Sequence, residues 1–137
     1  MVKIVLISCV SKKLDHKAPA RDLYISPFFK YNLKYANKLN PDKIFILSAK
    51  YGLLDLNKEI EPYNKTLNKM SLREKQEWAS LVSNDLKRVS DLDKDEFIFL
   101  AGDNYRKYLI KDLKNYSIPM KGLGIGKQLK FLKENSK

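Results

Sequence analysis

Cysteine is almost missing from this chain. Cys9 stands alone among 137 residues, so no internal disulfide can form. That is what a reducing compartment produces. His16 is the one histidine, and no second His or Cys stands at ligand spacing, so no metal site is expected. Glycine is scarce, with five in all and no Gly-rich run ending in Gly-Lys-Ser/Thr, which excludes a P-loop. Apolar runs such as residues 4–7 are short, far below the ~20 residues that span a bilayer. The Met-Val-Lys opening lacks a signal-peptide layout. The expectation is a cytoplasmic protein with no membrane partner and no cofactor.

Acidic side chains are also in short supply: 16 Asp and Glu face 27 Lys and Arg, a formal charge of +11. The excess is uneven. Residues 1–70 hold 13 basic and 6 acidic side chains, and residues 71–137 hold 14 and 10. A small protein this basic attracts phosphate polyanions through counterion release, although lysines also simply solvate a surface. Nucleic acid or a nucleotide is therefore the expected partner. The oligomeric state is not legible.

What is present reads as alternating strands and helices. KIVLIS at residues 3–8 and KIFILS at 43–48 are β-branched, uniformly apolar strands, and EFIFLA at 96–101 is a third. Ser26-Pro27 starts a helix, with Ser as N-cap and Pro in the first turn, and Phe29, Leu33, Ala36 and Leu39 recur at helical spacing. Asn40-Pro41-Asp42 stops it. Ser71 and Glu74 form a capping box ahead of a helix whose inner face is Leu72, Ala79, Val82, Leu86 and Val89. Asp103 is expected to cap a helix to about Asn115 with Leu109 and Leu113 inward. Residues 116–119 read as a short fourth strand. Residues 122–126 (GLGIG) make a tight turn into a last helix carrying Leu129 and Leu132, with no dinucleotide fingerprint. Residues 49–70 show no period and read as a long irregular connection. Strands apolar on every residue, separated by amphipathic helices, make a parallel sheet covered on both faces. The expected fold is α/β: one domain over residues 1–137, three layers (α/β/α), with a four-stranded, mostly parallel sheet of order 2-1-3-4.

Ligands of such sheets bind outside the C-terminal strand ends, which points to residues 8–15, 48–63 and 102–105. After the first strand, Ser8, Ser11, Lys12 and Lys13 suit an anion: hydroxyls donate and ammonium groups supply charge. Cys9 reads as a small buried residue rather than a nucleophile. Ser26 heads a helix whose free N–H groups suit a phosphate. After the second strand, Ser48, Lys50, Tyr51 and Gly52 combine small residues, a charge and a stacking face. Glu61, Tyr63 and Asn64 then combine a carboxylate, a ring and an amide, which together can read a base. Arg106 adds a cation beyond the third strand. Two readings follow. One is a nucleic-acid or nucleotide-binding protein with a base and phosphate pocket. The other is an enzyme acting on the N-glycosidic bond of a nucleobase, with Asp15 and Glu61 as its carboxylates. The sequence does not decide whether the protein is an enzyme.

The runs ISCVSKKLD at 7–15, ILSAKYGLL at 46–54 and IEPY at 60–63 resemble the YaaA-type peroxide-stress family, with its IS-x-x-K-x-LD opening and LSGLYGLL…I-x-PY segment. The likeness to short bacterial and phage domains related to that family covers nearly the whole chain. It implies an α/β core akin to uracil-DNA glycosylases and DNA binding. Ser8, Lys12, Leu14 and Asp15 match the opening motif, Ser48, Tyr51, Gly52 and Leu53 the central one, and Pro62 and Tyr63 the last. The chain is shorter than the YaaA type and has Ala49-Lys50 where that family has Gly-Leu.

Overall fold

The computed structural model describes residues 2–8 and 12–137. Cys9 and Ser11 lie outside the described residues. Five strands form the main sheet: β1 (Lys3–Ser8), β3 (Lys43–Ser48), β4 (Gly52–Asp55), β6 (Glu96–Leu100) and β7 (Asn115–Ser117). Their spatial order is β4-β3-β1-β6-β7, parallel except for β4, which runs antiparallel to β3. A separate two-stranded sheet pairs β2 (Ala18–Pro19) with β5 (Glu59–Ile60). The helices are α1 (Ala20–Leu23), α2 (Pro27–Lys38), α3 (Leu72–Val89), α4 (Asp103–Arg106) and α5 (Ile125–Asn135). The molecule is thus an α/β protein, and none of its described helices is long and apolar enough to cross a membrane.

Strand alternation sends side chains to two cores. Val5, Ile7, Ile46, Ile98 and Leu100 pack with Phe29 and Ala36 of α2 and Leu132 of α5. Ile4, Leu6, Leu47, Phe97 and Phe99 pack with Trp78, Val82 and Leu86 of α3. Ile4 through Ile7 have no exposed surface, as a central strand flanked on both faces requires. Each large apolar side chain buried this way contributes about 1.5–3 kcal/mol.

Capping chemistry sets the helix ends. Ser26 Oγ accepts from the Phe29 N–H at 3.2 Å and Pro27 occupies the first turn of α2. Beyond α2, Asn40 takes a left-handed φ of 52°, a conformation Asn tolerates, and its N–H bonds to the Asn37 carbonyl. Ser71 and Glu74 cap α3 reciprocally.

Four expectations need correction. The sheet has five strands, not four, so the full order differs from 2-1-3-4, and residues 49–70 are not irregular. They hold β4, β5 and a 3₁₀ turn at Leu67–Lys69. The hairpin reverses over Ala49, Lys50 and Tyr51 into Gly52, which carries a φ of 72°. Nor does one helix run from Asp103 to Asn115: Gly102 is the N-cap, and α4 stops at Arg106. From Leu109 onward the carbonyl partners lie three residues back, ending in a 3₁₀ turn at Ile110–Asp112. Leu109 and Leu113 are buried all the same, because packing rather than helix propensity holds this segment. Finally, Leu72 is exposed, and Trp78 takes the place on the inner face of α3 that Leu72 was expected to fill.

Candidate functional site

Local backbone pairing places the first basic residue. Lys13 and Tyr24 form an antiparallel bridge, with Leu14 N–H donating to the Leu23 carbonyl (2.8 Å) and Ile25 N–H to the Lys12 carbonyl (3.0 Å). The segment after β1 is thereby fastened to the segment entering α2. Lys13 Nζ comes to rest 4.5 Å from the centroid of the Tyr63 ring and 5.7 Å from that of Tyr24. A cation held over a ring gains about 0.5–2 kcal/mol, depending on exposure. That fixes the head of an otherwise flexible side chain at the C-terminal edge of the sheet.

The tyrosines are fixed in turn by β3. Ser48, wholly buried at the strand end, accepts the Tyr51 N–H (3.0 Å) through Oγ and donates to Tyr63 Oη at 2.9 Å. Tyr63 Oη lies 2.6 Å from Tyr24 Oη. Tyr51 reaches the Glu61 carbonyl with its hydroxyl at 3.3 Å, and its ring meets Tyr63 edge-on at 5.6 Å. Trp78 on α3 donates its Nε1–H to the Ser48 carbonyl at 2.9 Å, closing the strand end from the other face. An open hollow of about 460 Å³, bordered by Lys13, Leu14, Pro62, Tyr63 and Asn64, lies over this network.

A second feature lies on the far side of β1. The chain passes from β1 to β3 on one side and then to β6 on the other, so the strand order reverses between β1 and β6. Open α/β sheets leave a crevice at such a point. Here Ser8 Oγ accepts the Gly102 N–H at 3.1 Å, which leaves the hydroxyl proton to donate. Arg106, half-buried, donates Nη1–H to the Ala101 carbonyl at 2.6 Å, with Nη2 3.8 Å from Asp103. A cavity of about 40 Å³ is bordered by Ser8, Phe28, Gly102, Arg106 and Gln128 among others. One water needs about 10–15 Å³ measured this way, so the space suits a few waters or one phosphate-sized group, not a base.

The residues expected at the site divide accordingly. Ser48, Tyr51, Tyr63 and Lys13 converge, and Asn64 borders the same hollow. Gly52 lies at the hairpin and does not border the hollow; a Cβ there would face Val82 of α3. Ser8 and Arg106 share the β1/β6 crevice. Lys12 and Lys50 are exposed, with Lys50 Nζ 5.2 Å from the Tyr51 ring centroid. Ser26 is buried and its Oγ is used in capping α2. Both proposed carboxylates face solvent. Asp15 is fully exposed and hydrogen-bonded to His16 Nδ1 at 3.0 Å, which holds its carboxyl below the usual value. Glu61 is exposed as well.

Tyr24 and Trp78 join the site although nothing in the sequence pattern singles them out. Both are apolar enough to read as core. The available signal was their polar ends: a buried tyrosine hydroxyl or indole N–H must find a partner, and the small polar residue at a strand end supplies one. Among the described residues, no cluster of three or more His, Cys, Asp or Glu side chains is arranged to hold a metal ion.

The fold and these strand ends define an α/β protein with a polar, aromatic and basic site at the C-terminal edge of its parallel sheet. Residues 4–134 match the model of a family described as "Family of unknown function (DUF6884)". The chain belongs to that family. No curated protein matches it.

Proposed function

We propose that this protein binds nucleic acid or nucleotides, DNA foremost, through a base and phosphate pocket at the C-terminal ends of β1 and β3. The observation that carries the reading is Lys13 Nζ, poised over the Tyr63 ring beside an open hollow at the strand ends. Lys13 supplies charge to a phosphate without the entropy cost of ordering a free lysine. Asn64 offers a donor and an acceptor to a base edge, and the Tyr63 ring gives the hollow an aromatic side. Arg106 and Ser8, across β1, supply donors for a further phosphate. The net charge of +11 and the likeness to the YaaA type point the same way.

The test is fluorescence anisotropy with labelled single- and double-stranded oligodeoxynucleotides over a salt series. Binding is expected to weaken as salt rises, and Lys13→Gln should reduce affinity and lower the slope of log K against log salt by about 1. Absence of binding at about 50 mM salt, or binding indifferent to salt, overturns the reading.

A further inference from the structure

The long helices on the two sides of the sheet differ in how their charge is paired. On one face, α2 and α5 pack together, with the Tyr35 and Phe131 rings edge-on at 5.4 Å. Residues 27–38 of α2 carry Lys30, Lys34 and Lys38 and no acid. Residues 125–135 of α5 carry Lys127, Lys130 and Lys133 with the single acid Glu134. All six lysines are exposed. Positions 30, 34 and 38 are spaced i, i+4, i+8, so they form one row along the helix, about 12 Å long at 1.5 Å per residue. Positions 127, 130 and 133 form a second row at i, i+3, i+6.

On the opposite face, helix α3 carries four basic and three acidic side chains, and they partly cancel in place: Arg73 pairs with Glu77 at 3.0 Å and Arg88 with Asp85 at 3.3 Å. None of the six lysines on α2 and α5 makes an ion pair among the described residues; Lys133 instead lies 5.7 Å from the Tyr31 ring centroid. The positive charge there is uncompensated, so it acts at a distance.

Both helices begin at the C-terminal edge of the sheet, α2 following β1 and α5 following β7. The lysine rows therefore start beside the strand-end site and run away from it down one side. Tyr31, Tyr35 and Phe131 are partly buried in the α2/α5 contact, so this face has charge without a free stacking platform. Charge without stacking suits a phosphate backbone whose bases stay paired.

We infer that the α2/α5 face is a backbone-binding surface for double-stranded nucleic acid, which carries the strand to the site at the ends of β1 and β3. The inference rests on the nucleic-acid reading of that site and extends its footprint.

The experiment compares two triple variants in the full chain. One is Lys30→Gln/Lys34→Gln/Lys38→Gln on α2. The other is Arg73→Gln/Lys87→Gln/Arg88→Gln on α3. Gln keeps helix propensity close to that of Lys and Arg, and thermal unfolding monitors the fold of both. The probe is a labelled duplex of arbitrary sequence. The α2 triple should lower the salt slope by about 3 and weaken binding by tenfold or more at low salt, whatever the sequence, while the α3 triple leaves both unchanged. Equal losses in the two triples, or an unchanged slope in the α2 triple, overturn the inference while leaving the strand-end site standing if Lys13→Gln still weakens binding. No duplex or single-strand binding by the parent protein overturns both. Binding of the α2/α5 face to phosphatidylserine vesicles without duplex binding assigns the surface to a membrane instead and also overturns it.

Discussion

Ser48 donates a hydrogen bond from Oγ to Tyr63 Oη across 2.9 Å, and through it the end of a central strand holds a loop residue 15 positions further on. The same oxygen accepts the Tyr51 N–H. One small buried hydroxyl thus sets the hairpin and the Tyr63 ring together.

Ser48→Ala removes both bonds at a strand end where the Ser48 side chain is wholly buried. A loss of about 1–3 kcal/mol in urea unfolding is expected, since a buried group left unpaired costs its desolvation. Tyr63→Phe should cost a comparable amount. The double variant should lose less than the two singles combined, because they share one bond. Additivity within about 0.5 kcal/mol would mean that the network is not a unit.

Gly52→Ala tests the hairpin by itself. A Cβ there would meet Val82 Cγ2 at 3.7 Å, an ordinary separation, so space is not the problem. The φ of 72° is, and the backbone cost is roughly 1–2 kcal/mol. Unfolding at equilibrium measures it; an unchanged midpoint would show that the hairpin relaxes to another turn.

Asp95 gives the fold an acid limb. Its carboxylate accepts the N–H of Asp91 (2.8 Å) and of Val2 (3.0 Å), and these bonds hold its pKa below the ordinary value of 3.8. A depressed folded pKa means that the stabilisation is complete above the unfolded value. It is lost as pH falls through 3.8 toward the lower folded value. Stability measured from pH 6 to about 2 should fall in that window, and Asp95→Asn should flatten the fall. An identical acid limb in the variant would assign it to other carboxylates.

Asp15→Asn and Glu61→Gln separate binding from chemistry. Both side chains are exposed, so under the binding reading each variant keeps its affinity for oligonucleotides or gains slightly as a negative charge disappears. Base release from modified DNA or from free nucleosides, abolished by either change, would favour the glycosidic-bond enzyme over the binding protein.

Much of the fold was legible because its central strands are apolar on both faces. Residues 4–7 and 44–47 admit no other placement in a chain this size, and Ser26-Pro27 and Ser71/Glu74 announce their helices by local bonding. β4 was not legible. Its four residues, Gly-Leu-Leu-Asp, are too few to show alternation, and Gly52 reads equally well as a pocket floor or a hairpin residue. The segment after Asp103 kept its apolar spacing while its hydrogen-bond ladder changed, a difference that side-chain pattern cannot carry. At the site, topology pointed to the strand ends and residue chemistry marked Tyr51, Tyr63 and Ser48. Their connection through Tyr24 depends on a pairing of residues 12–14 with 23–25 that no period announces. The charge of +11 left no sign of its spatial division either, since residues 30–38 and 127–133 become neighbours only in three dimensions.

The small β2–β5 sheet has a dynamic consequence. Ala18 and Pro19 pair with Ile60 and Glu59, and the Ala20 and Arg21 amides donate to the carbonyls of Lys58 and Leu56 at 2.8 and 2.9 Å. Two long loops from different strand ends are therefore riveted into a single plate. Neither can swing alone. Amide exchange at Ala20 and Arg21 should proceed through one shared opening event, and whatever enters beside Lys13 and Tyr63 meets a wall that yields as a whole or not at all.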